Sequence, residues 1–552
     1  MTNPILQREL VGILRTQKAL VLQVSVATFF AALVLLRWPT DALVDLSGTQ
    51  SRQVFRLFGY GLLASLILLV PVFPASSIVR EKNSGTLARL LNTLMNPWTI
   101  YLGKLGGVLG FALMLIAMSF PAAMTCYAMG GVDLAAGILT LYGILVLVAV
   151  QYAALGLFVS ARAGSTDSAQ RITYALVLLV TVVAMGPHQF LQGQTGPLAE
   201  AAVYLQCISP IPAVMEVLGQ EDFGSQGIIS ETGAPLRYVI LWVITTGMLI
   251  GFTVSRLNYT ILDQSRSAGT ITDDQARTTQ ILRRLIFLVD PQRRKSSIGR
   301  LMNPVMVKEF RCRRFGRSHW MLRLVAGCTV LSLALSILTT TGTMDWDVET
   351  IGGFLVVMQV ALIVLVTPSL SAGLISAERE SGGWRRLIMT PLSAATILRG
   401  KLLSVIWPVL LVLLATLPGY AVMMYIDPGV RLEIQRVIIC LLVAAGFTLV
   451  LSATISSLFS RTAPATTTAY IILFVIFAGT MLIWLGEDAP FGRSTVEAAL
   501  ALNPMAAALS AVKAPGFAEY DLAEANWRIM SILSVIMLLI LLGQTWRLTR
   551  PN

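Results

Sequence analysis

Charged residues are scarce in this sequence of 552 residues: they make up 13% of it, whereas hydrophobic residues make up 55%. An ordinary soluble domain has about 25% charged residues, so the composition excludes that class and predicts a polytopic membrane protein. The net charge of +12 does not indicate nucleic-acid binding, because lysine and arginine lie in short stretches between apolar runs rather than in a patch interleaved with aromatic residues. We interpret these stretches as topology signals that face the cytoplasm.

Residues that carry catalysis or hold metals are also few. The sequence has five cysteines without a CxxC pair and two distant histidines, so neither a disulfide framework nor a metal site is predicted. It lacks the pattern G-x-x-x-x-G-K-[ST] of a phosphate-binding loop, and the acidic residues of the predicted outer loops have no histidine or nucleophile elbow beside them. We therefore predict no catalytic residue, no metal and no cofactor in this chain, and we do not expect an enzyme.

What the sequence does contain is a long internal repeat. The segment from Arg80 to Leu105 recurs without gaps from Ala377 to Leu402, a shift of 297 positions. The repeat predicts a chain built from two copies of one membrane unit, in which this basic, helix-prone segment is the repeated cytoplasmic part. The matching residues are Glu81 and Glu378, Ser84-Gly85 and Ser381-Gly382, Arg89 and Arg386, Thr93 and Thr390, Lys104 and Lys401, Pro71 and Pro368, and Pro121 and Pro418.

The apolar runs set the number of membrane spans. Crossing a hydrocarbon layer of about 30 Å takes roughly 20 apolar residues. On this criterion each half has six spans, and the chain divides into a first unit at 1–256, a cytoplasmic linker at 257–302 and a second unit at 303–552. The predicted spans are 19–37, 55–79, 105–130, 134–160, 170–188 and 238–256, then 322–341, 351–376, 402–425, 436–459, 466–485 and 528–546.

The distribution of lysine and arginine predicts the orientation. These residues are concentrated at 80–104, 162–171, 256–323, 379–401 and 547–550, whereas the alternate loops are not rich in them: 129–134 has only Asp133 as a charge, and 343–350 has Asp345, Asp347 and Glu349. Both termini and the linker are therefore predicted in the cytoplasm. Because each half has an even number of spans, the two halves enter the membrane the same way and form parallel repeats.

The loops before the sixth span of each half, about 189–236 and 486–527, are predicted to face outside. Each has a proline after a polar residue, Ser209-Pro210 or Asn503-Pro504, with apolar neighbours. This composition favours short helices that return to the outer leaflet.

Each unit opens with a stretch that is typical of a helix lying in the membrane interface. Residues 3–18 place apolar side chains on one helical side, with Arg8 and Glu9 interleaved, and 303–320 repeats the pattern with Lys308 and Glu309. A plain basic flank of a membrane helix is the alternative. The recurrence in both halves favours the interfacial helix.

Inside the predicted spans, charged residues and histidine occur only within two positions of either end. A proton-coupled carrier needs titratable groups inside its spans, so this absence argues against proton coupling. Sodium coupling through backbone carbonyls needs no buried charge and is left open. A chain without a fuel site must otherwise receive work from outside, and the repeated cytoplasmic segment is the place where that work could enter.

The repeated segment has the residues of a helix, a turn and a second, short helix. Glycine at position 85 or 382 suits a turn, and the serine before it is expected to cap the short helix. That helix has leucines on one side, which we expect to dock in the groove of a partner. The leucines are Leu87, Leu90 and Leu91, and Arg89 lies on another side.

These residues resemble the permease family of ATP-binding-cassette type-2 exporters, whose second and third spans are joined by an E-x-E-x-G-T-L-E-x-L-L-x-T-P segment. The resemblance covers essentially the whole chain and is clearest at 71–121 and 368–418. The second half keeps Glu378, Glu380, Ser381-Gly382 and Thr390-Pro391, and the first half keeps Glu81, Gly85-Thr86-Leu87, Leu90-Leu91 and Thr93.

The resemblance implies an all-α polytopic fold of twelve spans in two six-helix repeats. It also implies an exporter of the cytoplasmic (inner) membrane that works with separate cytoplasmic ATPase subunits, which bind the ATP and magnesium, and that contacts membrane lipid. We expect ion pairs of Glu81 and Glu378 with Arg8 and Lys308, and kinks in the second spans at Pro71 and Pro368. The residues expected to couple to the ATPase are Glu81, Ser84, Gly85, Thr86, Arg89, Glu378, Glu380, Ser381, Gly382 and Arg386.

The sequence also departs from the family pattern. Asn83 stands where a second glutamate is usual, Leu94 follows Thr93 in place of proline, and Gly383-Trp384 replaces Thr-Leu. The two coupling surfaces are therefore expected to differ.

Two alternative functions are kept. One is a secondary carrier of the major-facilitator type, although neither half shows its G-x-x-x-D-R-x-G-R-R loop, and the other is a membrane scaffold for a cytoplasmic ATPase. Because the interior of the predicted spans carries no charged residue, the sequence favours an amphipathic or lipid-like cargo over a small ion.

Overall fold

The computed structural model describes most of both halves. The predicted first spans, 19–37 and 322–341, lie outside the described residues apart from isolated positions, and so does the linker beyond residue 263. The described residues are 3–15, 23–24, 27–28, 30–31, 49–91, 93, 95–128, 130, 132–190, 196–219, 233–263, 303–312, 326, 329, 348–484 and 492–549.

The chain divides into two compact units. Unit 1 consists of Met1–Ala268 with Leu482–Arg493, and unit 2 consists of Gly269–Met481 with Ser494–Asn552. The predicted domain boundaries at 256 and 303 stay a prediction.

The described residues of unit 1 form helices joined by turns and no strand, with a π-helical turn at Leu134–Leu139 and a 3₁₀ turn at Val183–Met185. Its helices are α1 (Pro4–Leu14), α2 (Thr49–Leu69), α3 (Val72–Asn83), α4 (Thr86–Leu91), α5 (Pro97–Ala128), α6 (Thr140–Arg162), α7 (Thr166–Thr181), α8 (Gly186–Phe190), α9 (Pro197–Gln206), α10 (Pro210–Val217) and α11 (Ala234–Asp263).

Unit 2 repeats this order, with a 3₁₀ turn at Pro428–Val430 and a π-helical turn at Val475–Gly479. The helices of the second half, of which α19 and α20 each extend into the stretch Leu482–Arg493 assigned to unit 1, are α12 (Pro304–Cys312), α13 (Val348–Ser371), α14 (Ser376–Glu380), α15 (Gly383–Ile388), α16 (Ala394–Ile426), α17 (Arg431–Leu458), α18 (Thr462–Phe474), α19 (Thr480–Trp484), α20 (Gly492–Ala501), α21 (Pro504–Ala511) and α22 (Ala523–Thr549).

Ten stretches of the described residues are long and apolar enough to cross a membrane, or eleven if the bent pair α9–α10 counts as one span. They coincide with ten of the twelve predicted spans and confirm an all-α polytopic membrane protein. The count of twelve is not confirmed, because the two predicted first spans lie outside the described residues. Numbered as predicted, spans two to six are Ser51–Asn83, Pro97–Ala128, Leu134–Arg162, Ser168–His188 and Ala234–Leu257, then Glu349–Glu380, Ala394–Tyr425, Pro428–Leu458, Thr462–Trp484 and Ala523–Thr549.

The second span of each unit is interrupted, as its proline predicts, but not at the same point. Pro71 lies in the turn between α2 and α3, whereas Pro368 stays inside α13 and the turn follows at 372–375. A proline ring can be accommodated within a helix when the neighbouring spans satisfy the backbone groups that it frees.

A serine of the fourth span accepts hydrogen bonds from two consecutive backbone N–H groups of the second span in each unit. Ser160 Oγ accepts hydrogen bonds from the backbone N–H groups of Ile78 (3.0 Å) and Val79 (3.1 Å). Ser456 Oγ accepts from Ile375 (3.0 Å) and Ser376 (3.1 Å) in the same way. The bonded groups lie at the interruption in unit 2 and within α3 in unit 1, and in both units the serine holds the second span against the fourth.

The short helices predicted before the sixth span are present in both units. In unit 1, the chain bends by 79° at the break between α9 and α10. In unit 2 they correspond to α20 and α21, which have the same order and the same proline at the start of the second helix. We call α9–α10 and α20–α21 the helix hairpins.

Candidate functional site

The repeated segment folds in both units as the sequence predicts, into a helix end, a glycine turn and a one-and-a-half-turn helix. Gly85 and Gly382 both have φ of +71°, the left-handed conformation that glycine adopts without steric cost. The short helices α4 and α15 follow directly and contain six residues each. The same backbone is therefore built twice from different side chains.

The serine before each glycine has a different role from the expected one. Ser84 Oγ donates to the carbonyl oxygen of Glu81 (3.2 Å), and Ser381 Oγ donates to that of Glu378 (3.4 Å). Each serine is thus the end cap of the preceding helix, and α15 has no side-chain cap at its start. The last carbonyl groups of a helix have no partner within it, so they compete for the hydroxyl.

The apolar side of the short helices faces the protein rather than a partner. Leu87 in α4, and Trp384 and Leu387 in α15, are at most 7% exposed. The indole N–H of Trp384 also donates to the carbonyl oxygen of Leu548 at the end of span six (3.1 Å). Leu87 is therefore not available for docking, in contrast to the expectation, whereas Leu90 is partly exposed and the side chain of Leu91 lies outside the described residues.

The outer side of the short helices is basic. Arg89 is exposed in unit 1, and Arg385 and Arg386 are exposed in unit 2. Met389, which follows α15, is 86% exposed. The surface that a partner can reach therefore presents guanidinium groups.

Four charged side chains from three elements meet behind the segment in unit 1, and we call them the ion cluster of that unit. Lys104 of α5 lies 3.2 Å from Glu9 of α1 and 3.0 Å from Glu81 of α3. Arg8 contacts Glu9 at 2.9 Å and also contacts Glu81, so that each base faces both carboxylates. Lys104 also donates to Ser77 Oγ (2.9 Å).

Unit 2 builds the same ion cluster from Lys308, Glu309, Glu378 and Lys401. Lys401 lies 2.7 Å from Glu309 and 3.5 Å from Glu378, and Lys308 lies 2.7 Å from Glu378. Lys401 Nζ also donates to the carbonyl oxygen of Leu374 (2.9 Å). The expected ion pairs of Glu81 with Arg8 and of Glu378 with Lys308 are confirmed.

The lysines at the centre of the clusters are almost completely buried, and the sequence did not reveal this. Lys104 is 2% exposed and Lys401 is 0% exposed, whereas the sequence suggested that they only mark the return of the chain to the membrane. A buried ammonium group is kept charged only by partners that replace its water. The one sequence feature that could have indicated a special role for these lysines is the exact recurrence of Gly-Lys-Leu at 103–105 and 400–402.

The cluster perturbs the titration of the interfacial helix in unit 1. Burial of Glu9 alone would raise its pKa, but Lys104 and Arg8 outweigh burial and lower the pKa below the ordinary value for glutamate. Burial opposes the charge of Arg8, while Glu9 and Glu81 together raise its pKa. Both residues therefore stay charged throughout the neutral pH range.

The interfacial helices are placed against the third span by an asparagine and a glycine. Asn3 caps α1 by accepting from Ile5 N (3.0 Å) and donates to the carbonyl oxygen of Thr99 (2.8 Å). Asn303 repeats the cap and donates to that of Thr396 (2.9 Å). A Cβ on Gly103 would lie 2.9 Å from Asn3, and one on Gly400 would lie 2.5 Å from Asn303. The glycines thus permit the close approach that brings the ion clusters together.

Glu380, which is present in the second copy of the repeated segment but not in the first, binds Thr462 within the protein. Glu380 Oε2 accepts from the backbone N–H (2.9 Å) and hydroxyl (2.7 Å) of Thr462, at the start of α18. Asn83 is its counterpart in unit 1 and is exposed. Glu380 therefore caps the fifth span, in addition to any role at a partner surface.

Within the described residues no group of three or more histidine, cysteine, aspartate or glutamate side chains could hold a metal ion. The residues brought together by each unit are instead a neutral cluster of two bases and two carboxylates, next to an exposed basic helix. This arrangement can transmit a displacement of the short helix to three elements at once: the interfacial helix, the second span and the third span. It offers no chemistry of its own.

Two comparisons with family models match the two halves separately. A model described as ABC-2 type transporter matches residues 4–186, which contain the ion cluster of unit 1. A model described as ABC-2 family transporter protein matches residues 336–542, which contain the second segment and Lys401. A comparison with curated proteins gave no significant match.

Proposed function

Because both halves match ABC-2 transporter models, the chain belongs to the ABC-2 type transporters as a membrane component, and we propose that it exports its cargo with work supplied by separate ATPase subunits. The family implies association with an ATP-binding-cassette subunit. One chain carries two such units, so we propose that it supplies both halves of one translocation body. The observation that carries the proposal is the ion cluster behind each exposed basic helix.

The membrane proposed for this protein is the cytoplasmic (inner) membrane, with both termini in the cytoplasm. The support is the concentration of lysine and arginine in alternate loops. In this orientation α4, α15 and the two ion clusters face the cytoplasm, where ATP is available. The helix hairpins then lie at the outer side.

We propose that the ATPase docks on the basic side of the short helices. Arg89, Arg385 and Arg386 are exposed, while the apolar side is packed against the protein. Guanidinium groups suit carboxylates in a partner's groove, because their planar donors bind both oxygens of a carboxylate. Unit 2 offers two arginines at this position and unit 1 offers one, so the stronger docking is expected at α15.

A movement of the docked helix would reach the spans through the ion clusters. Lys104 and Lys401 each contact a carboxylate on the interfacial helix and another on the segment. Buried pairs of this kind exclude water and hold their groups in one arrangement. Rotation of α4 or α15 would therefore move spans two and three together.

An amphipathic or lipid-like cargo is proposed on the composition of the spans. The few charged residues within the predicted spans lie at the ends of those spans. A pathway lined mainly by apolar groups does not offer the charge partners that a small ion would need.

The test is to purify the full chain from the membranes of its host and to measure ATP hydrolysis in the preparation and flux in reconstituted vesicles. We expect ATP hydrolysis to co-purify with the chain. Its amount should fall about tenfold for the double variant Arg385→Glu and Arg386→Glu, and less for Arg89→Glu, because charge reversal removes the docking contacts. Arg431→Glu, an exposed arginine at the predicted outer side, is the control.

Each alternative has its own outcome in this test. Flux without any co-purified ATPase would favour a carrier, and a co-purified ATPase without flux would favour a scaffold. Equal retention of ATPase by the Arg385→Glu, Arg386→Glu double variant and the Arg431→Glu control would refute docking through α15. Glu81→Gln and Glu378→Gln should keep the ATPase bound but lower its stimulation by cargo.

A further inference from the structure

The fifth span of each unit loses its regular helical geometry in the same region. In unit 1, α7 ends at Thr181 and a 3₁₀ turn follows at Val183–Met185. In unit 2, α18 gives way to the π-helical turn Val475–Gly479. Thr181 and Phe477 are equivalent, since each lies seven residues past a tyrosine, Tyr174 or Tyr470. The two sequences reach the same interruption by tightening the helix in one unit and widening it in the other.

A carbonyl group at the interruption is bound by the helix hairpin in both units. Met185 N donates to Val182 O instead of Thr181 O, as the 3₁₀ turn requires, and Ser209 Oγ donates to Thr181 O (2.8 Å). Asn503 Nδ2 donates to Phe477 O (2.9 Å) and to Thr480 Oγ1 (2.8 Å). Interruptions of this kind are frequent at functional hinges.

Ser209 and Asn503 are the caps of the second hairpin helix as well as donors to the span. Ser209 accepts from Ile211 N (3.3 Å) and Asn503 accepts from Met505 N (2.9 Å), each before a proline in the first turn. Both residues are 0% exposed. One polar side chain therefore joins the start of a hairpin helix to the interruption of the span.

The fifth span is held differently on the two sides of the interruption. Before it, the hydroxyl of Tyr174 donates to Leu68 O (3.1 Å) and that of Tyr470 donates to Leu365 O (2.8 Å), which fixes this part to the second span. At the interruption the partner is the hairpin. The hairpin is also bonded to the sixth span, through Glu216 to Gly233 N and Ala234 N in unit 1 and through Asn526 to Ala501 O in unit 2.

We propose that Ser209 and Asn503 are positioning residues that couple each helix hairpin to a hinge in span five. When the end of the span beyond the hinge moves, the hairpin moves with it and carries the start of span six. The duplication of the contact with a different donor in each unit is the argument for a role beyond local stability. Only the assignment of this movement to transport rests on the proposed function.

The test measures how often the hairpin separates from the span in the full chain, in lipid nanodiscs. Cys207 lies two residues before Ser209 and is 4% exposed, so its reaction with a maleimide, quantified at this site by mass spectrometry, reports on the opening of unit 1. Ala501 is the equivalent residue of unit 2 and is 7% exposed. The variant Ala501→Cys supplies the second reporter.

Loss of the donor should increase labelling in its own unit alone. Ser209→Ala should raise the labelling rate of Cys207 about fivefold, the factor expected for one net hydrogen bond, and Ser209→Asn should restore it. The reporter in unit 2 should not change. Ser165→Ala, which removes the serine cap at the other end of α7, is the matched control and should leave Cys207 protected.

Asn503→Asp separates the contact with the span from the cap. Aspartate still accepts from Met505 N, but when ionised it cannot donate to Phe477 O, whereas the protonated acid can. The labelling of the Ala501→Cys reporter, relative to the same chain with Asn503, should therefore rise from about pH 6 to about pH 9. A flat ratio, equal effects of Ser165→Ala and Ser209→Ala, or labelling that rises in both units would each overturn the proposal. Because no ATPase or cargo is involved, such a failure would not bear on the proposed function.

Discussion

The two units enclose the same number of charges in their ion clusters but bury them to different depths. In unit 2, Glu309 is 4% exposed and Lys401 is 1% exposed by side chain. In unit 1, Lys104 is equally buried, but the side chain of Glu9 is 23% exposed and Arg8, at 52%, contacts both carboxylates. In unit 2 the buried Lys401 contacts both carboxylates and Lys308 contacts Glu378, whereas in unit 1 both bases contact both carboxylates.

The fifth spans also differ, in this case in the residue that caps the start of the helix. Ser165 caps α7 by accepting from Ser168 N (3.2 Å) within its own chain segment. Arg461 holds the equivalent position in unit 2 without a side-chain cap, and Glu380 supplies the acceptor from the repeated segment. The departure of Asn83 from the family pattern thus follows from the presence of a local cap in unit 1.

The turn after the helix hairpin is a third instance. Gly219 adopts φ of +65° there and Arg56 donates to the carbonyl oxygens of Leu218 (3.0 Å) and Gly219. The turn of unit 2 has Lys513 in the same conformation, at φ of +54°, with an ion pair to Glu433 (2.7 Å). A lysine is strained in this conformation, so the pair offsets a cost that glycine avoids. Duplication has preserved the backbone and exchanged the contacts that hold it.

The largest effect should come from removing the central lysines. Lys401→Met leaves Glu309 and Glu378 without their shared buried cation, and breaking a buried pair costs about 3–5 kcal/mol. Lys104→Met should cost less, about 1–3 kcal/mol, because Arg8 remains beside both carboxylates. The check is thermal unfolding of the full chain in nanodiscs, followed by the loss of helical circular dichroism.

The double variant Lys401→Met with Glu309→Gln tests whether the cost is electrostatic. It should be more stable than Lys401→Met alone, since it removes the buried negative charge that the lysine neutralised. Equal destabilisation by Lys104→Met and Lys401→Met would contradict the inequality of the two clusters.

A smaller effect is expected from the caps of the fifth spans. Glu380→Ala should destabilise unit 2 by about 1 kcal/mol, as the loss of a helix cap usually does. Introducing the local cap of unit 1 by Arg461→Ser should restore most of this in the Glu380→Ala background and little in the parent chain. Hydrogen exchange of the amides at the start of α18 measures the effect locally.

The same pair of substitutions also separates the two roles of Glu380. If ATPase retention recovers together with the exchange rates in the Glu380→Ala, Arg461→Ser variant, then the carboxylate acts through the cap. If retention stays low after the cap is restored, Glu380 contacts the partner itself.

Much of the fold followed from local patterns in the sequence. Long apolar runs located ten spans, and the identity of Glu81 and Glu378 within the repeat was enough to expect their pairs with Arg8 and Lys308. Gly85 and Gly382 were expected at turns because their conformation depends on the residue itself. These features are determined by neighbours in sequence or by an unusually strict periodicity.

Features that depend on packing between spans could not be predicted from the sequence. The burial of Lys104 and Lys401 is set by the interfacial helix crossing the third span, and that crossing depends on Gly103 and Gly400. Ser160 and Ser456 resemble any polar residue of a membrane helix until the interrupted second span lies beside them. The expectation that Leu87 docks in a partner was wrong for the same reason, since an apolar helix side fits a partner's groove and the protein's own body equally well.

The smallest effect is a pH dependence contributed by Glu9 of unit 1. The pKa of Glu9 is lowered in the folded protein, so its contribution to stability is fully present above the ordinary glutamate pKa and is lost as the pH falls through the lowered value. The thermal stability of the parent chain should therefore decrease below about pH 4.5. Glu9→Gln removes the titrating group and should flatten this part of the profile, while lowering stability at neutral pH. The matched variant Glu309→Gln keeps Glu9 and should therefore keep the acid limb, and loss of that limb in this variant would contradict its assignment to Glu9.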